Sequence, residues 1–340
     1  MMNEKEIFFK DKENCSLPLS HVEDGEIPPE LKYVDELYGI ADALSIENAM
    51  KHERNLKYLA ILGTLVAIFF LLYGEARIFW LVFGCALLIF IIIFINQIAE
   101  KSECHRKYTQ YRVLAESLRV QYFISLAGID KNVSEILPWF TKKGIQWVDE
   151  LLSELPPVHV KEKKPIINCW IRDQRDYHEK KFKSTKKTYE KDRRIKNMVL
   201  YVTILTYIIA VIFEVYMYIV HPGELNFMSL GWILNTVQPA GVMIHFDQVE
   251  LIRAILKIIL GTMSAATLFT GSYYGNMSLS NISEDHRRMI MLYEYSIHEI
   301  KENNGEESEE LILRLAREFL IENSTWYAYQ KNNKQDLTFE

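Results

Sequence analysis

Apolar residues gather into three long blocks, Tyr58–Tyr73, Ile78–Ile95 and Met198–Val220; the long stretches between them are polar and carry apolar residues at helical spacing. Each block is at or near the length that crosses about 30 Å of hydrocarbon at 1.5 Å per residue. A fourth stretch, LIRAILKIILGTMSAATLFTGSYYG (Leu251–Gly275), has a similar length but holds Arg253, Lys257, three glycines and a row of hydroxyls. No run alternates like a strand, and turn signals stand at Gly128, Pro138, Gly144 and Asn303–Gly305. The pattern predicts an all-α membrane protein with four transmembrane helices, arranged as two hairpins with long cytoplasmic helical extensions. Neither Gly nor Pro interrupts Ala86–Ala127 or Ile166–His221, so each is expected to be one helix.

Charge then orients the spans. KHERNLK (Lys51–Lys57) precedes the first span and EKSECHRK (Glu100–Lys107) follows the second, while only YGEAR joins them. The positive excess outside that short turn places both flanks in the cytoplasm. KDRRIK before the third span and EDHRR (Glu284–Arg288) after the fourth do the same for the second pair, so both termini are expected inside. Asn226–Phe246 is uncharged, but Gly231, Asn235, Gln238, Pro239 and Gly241 would break a spanning helix, and it reads as an outer loop with a short interfacial or re-entrant helix.

Four segments follow. Residues 1–36 form an acidic N-terminal segment. Residues 37–155 hold the first hairpin, with spans at about 57–73 and 78–96 and cytoplasmic helices. Residues 156–165 are a linker, marked by Leu155-Pro156-Pro157. Residues 166–340 hold the second hairpin, with spans at about 198–220 and 252–275, a basic cytoplasmic helix and acidic C-terminal helices. No leader with a basic start, an apolar core and a small-residue cleavage site precedes the first span.

Composition removes several kinds of chemistry. The chain has no G-x-S-x-G elbow, phosphate loop, H-E-x-x-H or strand-linked G-x-G-x-x-G, so no enzyme is expected. Cys104 and His105 are adjacent and point about 100° apart on a helix, which rules out a relay. Cys15, Cys85, Cys104 and Cys169 have no zinc or disulfide spacing and read as reduced thiols; neither metal nor cofactor is implied.

YRVLAESLRVQYFISLAG (Tyr111–Gly128), with ELYGIADALSIENAMKHER (Glu36–Arg54) before the first hairpin, resembles the SLATT and SMODS-associated four-transmembrane effectors of bacterial anti-phage systems. EDHRRMIMLYEY and LRLAREFLIENSTWYAYQ look like the matching part after the second hairpin. The resemblance implies an effector of the bacterial inner membrane, paired with a sensor or a nucleotidyltransferase. It further implies control by a nucleotide or oligonucleotide, and loss of membrane potential leading to growth arrest or death. Such effectors are often fused to a sensor domain, and this chain has no recognisable one.

Two constellations remain. Lys161–Lys196 carries fourteen Lys and Arg against six Asp and Glu. Within it, Lys180, Lys183, Lys187, Lys191 and Arg194 share one helix face. Lipid phosphates account for the residues beside the span. Lys180 lies roughly 25 Å from the membrane edge at 1.5 Å per residue, beyond a Debye length of about 8 Å. A phosphate ligand flanked by Trp170, Tyr177 and Tyr189, or the acidic C-terminal region including Glu306, Glu307, Glu309 and Glu310, are the alternatives there. In the fourth span, Ser264, Thr267, Gly271 and Tyr274 form one semi-polar stripe: either a buried helix face, or the wall of a pore built from several copies. Glu214 in the third span falls at the depth of Lys257 and Arg253, as a pore charge or a structural pair. The expectation drawn is a homo-oligomeric, ligand-gated ion channel, with four subunits as the working number and membrane lipids around it; a non-conducting scaffold or anchor that recruits a cytoplasmic partner is the alternative.

Overall fold

Helix α1 (Glu4–Glu13) begins at a reciprocal cap, in which the Asn3 side chain and Glu6 each bind the other's backbone N–H. Its face then drives Phe8 into a fully buried site, 5.4 Å from the Tyr111 ring and 5.7 Å from that of Trp147. A computed structural model of the chain describes residues 3–23, 27–76, 80–156, 158, 160, 166–220, 248–276, 279–303 and 307–332. The described residues form helices and turns, with no strand among them.

After α1 come α2 (Lys32–Ala76), α3 (Trp80–Ser102), α4 (Cys104–Leu126), and three short helices, α5 (Val133–Ile136), α6 (Trp139–Gly144) and α7 (Gln146–Ser153). A π-helical turn, Ile167–Arg172, leads into α8 (Asp173–Val220), followed by α9 (Gln248–Asn276), α10 (Leu279–Glu302) and α11 (Glu309–Asn332). Among the described residues, four helices are long and apolar enough to cross a membrane, at or close to the predicted spans. The turns predicted at Gly128, Pro138 and Gly144 are present: Gly128 takes a positive φ of 76°, and Pro138 and Ile145 bound α6, whereas Asn304 and Gly305 lie outside the described residues. The expected outer loop, Asn226–Phe246, lies outside the described residues, as does most of the linker 156–165.

One expectation is corrected. Ala86–Ala127 is not a single helix, because α3 ends at Ser102 and α4 restarts at Cys104, with Glu103 between them at φ 49°. A left-handed glutamate is unfavourable by roughly 1–2 kcal/mol, so no local preference predicts it. Tertiary ties oppose that cost: Arg106 pairs with both Glu103 and Glu4, and Lys107 reaches Asp11 at 2.7 Å. The second long run, by contrast, continues as one helix from its π-helical start through Val220.

Contacts divide the chain into two compact units, each drawn from both sequence halves: Met1–Lys57, Asn96–Tyr189 and Ser278–Glu340, and then Tyr58–Ile95 with Glu190–Met277. The first is built around α4, whose residues from Thr109 to Leu126 are buried on almost every face. α11 runs along α4, and α5 and α7 close further sides. Trp170 stacks on Phe123 with the rings 5.1 Å apart and 8° from parallel. Polar positions on α4 are bonded individually: Gln121 accepts from Val133 N–H at 2.6 Å and donates to Ser125 and the Lys131 carbonyl, and Gln110 accepts from Trp147 at 3.1 Å. The 1–36 segment belongs to this unit, because α1 packs on α7 and Asp35 of α2 accepts from Val22 N–H at 2.8 Å.

The second unit is the apolar one. Its helices leave large side chains uncovered, including Leu268 at 74% and Ile219 at 70% exposure, and almost none of each apolar window is buried within the chain. A contiguous apolar surface of that kind belongs in lipid, which marks a membrane protein. Close approach is local: a Cβ at Gly84 would lie 2.9 Å from the Phe69 ring, and one at Gly63 the same distance from Phe269.

Phe8 is the keystone by which α1 joins the first unit. Phe8→Ala is expected to cost about 3–5 kcal/mol. Hydrogen exchange should show residues 4–13 losing protection before α4 does; unchanged protection would place the attachment in the surface ion pairs instead.

Candidate functional site

The basic face of α8 is where the sequence placed it. Lys180, Lys183, Lys187, Lys191 and Arg194 are all exposed along one continuous helix. Lys183 pairs with Glu179 at 2.6 Å, an exposed i,i+4 contact of little energetic weight. Of the acidic C-terminal residues, Glu307 accepts from the Ile166 and Ile167 N–H groups at 2.8 and 2.7 Å. It therefore caps the start of the π-helical turn, where a carboxylate meets the positive end of the helix dipole. Glu309 and Glu310 are exposed, and Glu306 lies outside the described residues.

The hydroxyl stripe of α9 meets α8 of the same chain. Thr267 and Thr203 share a hydrogen bond of 2.8 Å, and Ser264 meets the Tyr207 hydroxyl at 3.1 Å. Thr203 also donates within its own helix to the Val199 carbonyl, and is buried. Gly261 lies against Leu71, where a Cβ would come within 2.6 Å of a methyl group, whereas nothing lies within 4 Å of a Cβ at Gly271. The side chains of Tyr274 and Glu214 fall outside the described residues, so the expected Glu214 contact with Lys257 or Arg253 does too.

A third cluster, inside the first unit, escaped sequence reading. Arg112, Glu116 and Arg119 sit on successive turns of α4, where a surface helix would carry ordinary charge pairs. Here they are largely enclosed. Arg119 is fully engaged: it lies 3.2 Å from Glu116, donates to the Tyr38 hydroxyl at 2.9 Å and to Gln174 at 3.2 Å. Arg112 differs, because among the described residues it has neither a hydrogen bond nor an ion pair, and its guanidinium lies 4.8 Å over the Trp326 ring. The Tyr293 hydroxyl is wholly buried and, among the described residues, has no hydrogen-bond partner. His178 of α8 meets His286 of α10 through their Nδ1 atoms at 2.9 Å.

Burial and neighbouring cations hold these imidazoles neutral. Burial, then His286, lowers His178 to about 3; burial, then Arg112, lowers His286 to about 4. A second histidine pair packs with ring centroids 4.8 Å apart, and burial followed by His105 lowers His52 to about 4. Glu322 of α11 moves the other way, raised to about 7 chiefly by burial and lowered only in part by Arg112. The signal available in sequence was only the i,i+4,i+7 run Arg112, Glu116, Arg119, which is indistinguishable from a solvated stripe until α8, α10 and α11 cover it. Among the described residues, no group of three or more His, Cys, Asp or Glu side chains is placed to hold a metal ion.

Against known families, the chain is similar to a domain described as "Protein of unknown function (DUF4231)" over residues 43–128. The matched stretch contains most of α2, all of α3 and α4, and therefore the Arg112–Glu116–Arg119 run. No curated protein matches the chain, and no solved structure does.

The histidines set a pH dependence. Unfolded imidazoles titrate near 6.5, whereas the folded ones titrate lower, so the unfolded chain binds more protons below that pH. Stability is therefore present above about pH 6.5 and lost as pH falls toward 4. Glu322, which holds its proton up to higher pH when folded, offsets about one of these three protons. Thermal melts in detergent should give a lower midpoint near pH 5 than near pH 7, and His286→Gln should flatten that difference. A midpoint that rises on acidification would contradict neutral His52, His178 and His286.

Proposed function

We propose that this chain is a defence effector of the bacterial inner membrane: an oligomeric channel or pore, with both termini cytoplasmic, switched by a nucleotide or oligonucleotide signal to a state that depolarises the cell. The observation that carries the reading is the continuity of α2 and α8. Each is a single helix that supplies residues to the α4-centred unit and to the apolar unit. A change in how the first unit packs around these helices acts on the same helices that supply the apolar segments.

In this reading α2 with α3, and α8 with α9, are the two transmembrane hairpins, and α4, α10, α11 and the first half of α8 are their cytoplasmic extensions. Phe69 against Gly84 supports the first pairing, and Thr203 with Thr267 the second. The exposed lysine face of α8 suits the phosphates of an oligonucleotide, the product expected of a nucleotidyltransferase partner. The resemblance of Glu36–Arg54 and Tyr111–Gly128 to the SLATT and SMODS-associated effectors supports the same class.

A second reading, a non-conducting scaffold, is favoured by one observation. Ser264 and Thr267 already bond Tyr207 and Thr203 within the chain, so part of the polar face expected to line a pore is closed by its own hairpin.

Expression in bacteria with a potential-sensitive dye separates the two. The channel reading expects depolarisation when a partner nucleotidyltransferase is co-expressed, and no depolarisation in any state leaves only the scaffold. Replacing Lys180, Lys183 and Lys187 together by Gln should weaken single-stranded oligonucleotide binding and lower its salt slope by roughly 0.7 for each phosphate that is no longer neutralised. An unchanged slope would remove the stripe from the ligand site.

A further inference from the structure

A groove of about 370 Å³ separates α10 from α11 in the first unit, walled by Asp285, Arg288 and Met289 on one side and by Glu322, Thr325 and Trp326 on the other. That volume falls within the roughly 300–1,000 Å³ of small-molecule sites. Its features select a class of ligand. Arg288 forms an ion pair with Asp285, so these two charges cancel within the wall. Glu322 is half-buried and has neither a hydrogen bond nor an ion pair among the described residues. A carboxyl partly withdrawn from water and left without a partner is unfavourable, and this one faces Arg112 and Glu116 from α4 and Asp285 and Arg288 from α10. In its protonated form it offers one donor and one acceptor side by side.

Trp326 completes the site. Its indole carries the Arg112 guanidinium 4.8 Å from the ring and meets the Tyr108 ring nearly perpendicularly at 5.5 Å, so it is braced from two directions. A fixed aromatic plate, a carboxyl with a free hydrogen-bonding edge and a wall whose single cation, Arg288, is already paired, with Glu318 as a further carboxylate, suit a flat, uncharged group with N–H and C=O on its rim.

We propose that the α10–α11 groove binds a nucleobase, stacked on Trp326 with its hydrogen-bonding edge on Glu322. This rests on the nucleotide-responsive reading above, and it moves recognition of the base away from the lysine face of α8, which is left with the phosphates. Because Arg112 lies on Trp326 and belongs to α4, occupancy of the groove bears directly on the helix around which the unit is packed.

The test uses the full-length chain in detergent, with uncharged nucleosides as probes and tryptophan fluorescence as the readout. The expected result is saturable quenching, insensitive to salt and unaffected by the Lys180, Lys183 and Lys187 replacements. Trp326→Leu should weaken binding about ten- to hundredfold, with Trp326→Phe keeping part of it, and Glu322→Leu about tenfold, with helical circular dichroism retained in all three. No saturable quenching by any nucleoside, or quenching that is the same in Trp326→Leu, overturns the proposal. Oligonucleotide binding that disappears only on replacing the lysines overturns it too, while leaving nucleotide gating in place. Nucleoside binding that depends on Trp326, in a chain that never depolarises cells, supports the groove and removes the channel.

Discussion

The first unit depends on the enclosure of α4. A helix covered on nearly every side must satisfy each polar group it carries, because an unpaired buried group costs about 1–3 kcal/mol. Gln110, Ser117 and Gln121 meet that demand with a neighbour or with their own helix, and Arg119 does so with Tyr38, Gln174 and Glu116. These bonds fix which elements lie on which face: Trp147 belongs against Gln110, and the turn at Val133 against Gln121. The apolar contacts of Leu114, Leu118, Val120 and Phe123 supply the driving force at about 1.5–3 kcal/mol per fully buried large side chain. α1, α2, α8 and α11 are all tied to this one helix.

Arg112 departs from that rule. Its positive charge is balanced only through an aromatic face and through carboxylates it does not bond, with neutral histidines on α8 and α10 beside it. Such a site holds unspent hydrogen-bonding capacity in the middle of a packed unit. The π-helical turn at Ile167–Arg172, capped by Glu307, places Trp170 fully inside the same core and brings α8 into register with α10. π-Helical turns often occur where function overrides regular packing.

The apolar unit obeys a different constraint. With lipid as solvent there is little hydrophobic force between helices, so close approach and hydroxyl bonds decide which helices meet. Gly63, Gly84 and Gly261 allow side chains of neighbouring helices to enter where a Cβ would collide, and Thr203–Thr267 supplies a polar contact. Part of the poor hydropathy of the fourth helix thus has a local cause: Gly261, Ser264 and Thr267 make contacts with helices of their own chain, whereas Gly271 has no such neighbour.

How much was legible follows from the range of each signal. Helical content, the four apolar helices, the turns at Gly128 and Pro138 and the exposed lysine face of α8 are written in local periodicity, composition and charge, which a chain expresses without reference to distant residues. The break at Glu103 was not, because a left-handed glutamate has no local preference and is held beside Arg106, which pairs with both Glu103 and Glu4. The Arg112–Trp326–Glu322 arrangement was equally hidden, since each residue alone reads as an ordinary surface helix position. Burial converts those charges into a site, and burial depends on elements far apart in the chain. Sequence by itself thus determined which segments are helices and which are apolar enough to cross a membrane; tertiary structure alone decided which charges lose their water, because desolvation is a property of the assembled neighbours and of no single segment.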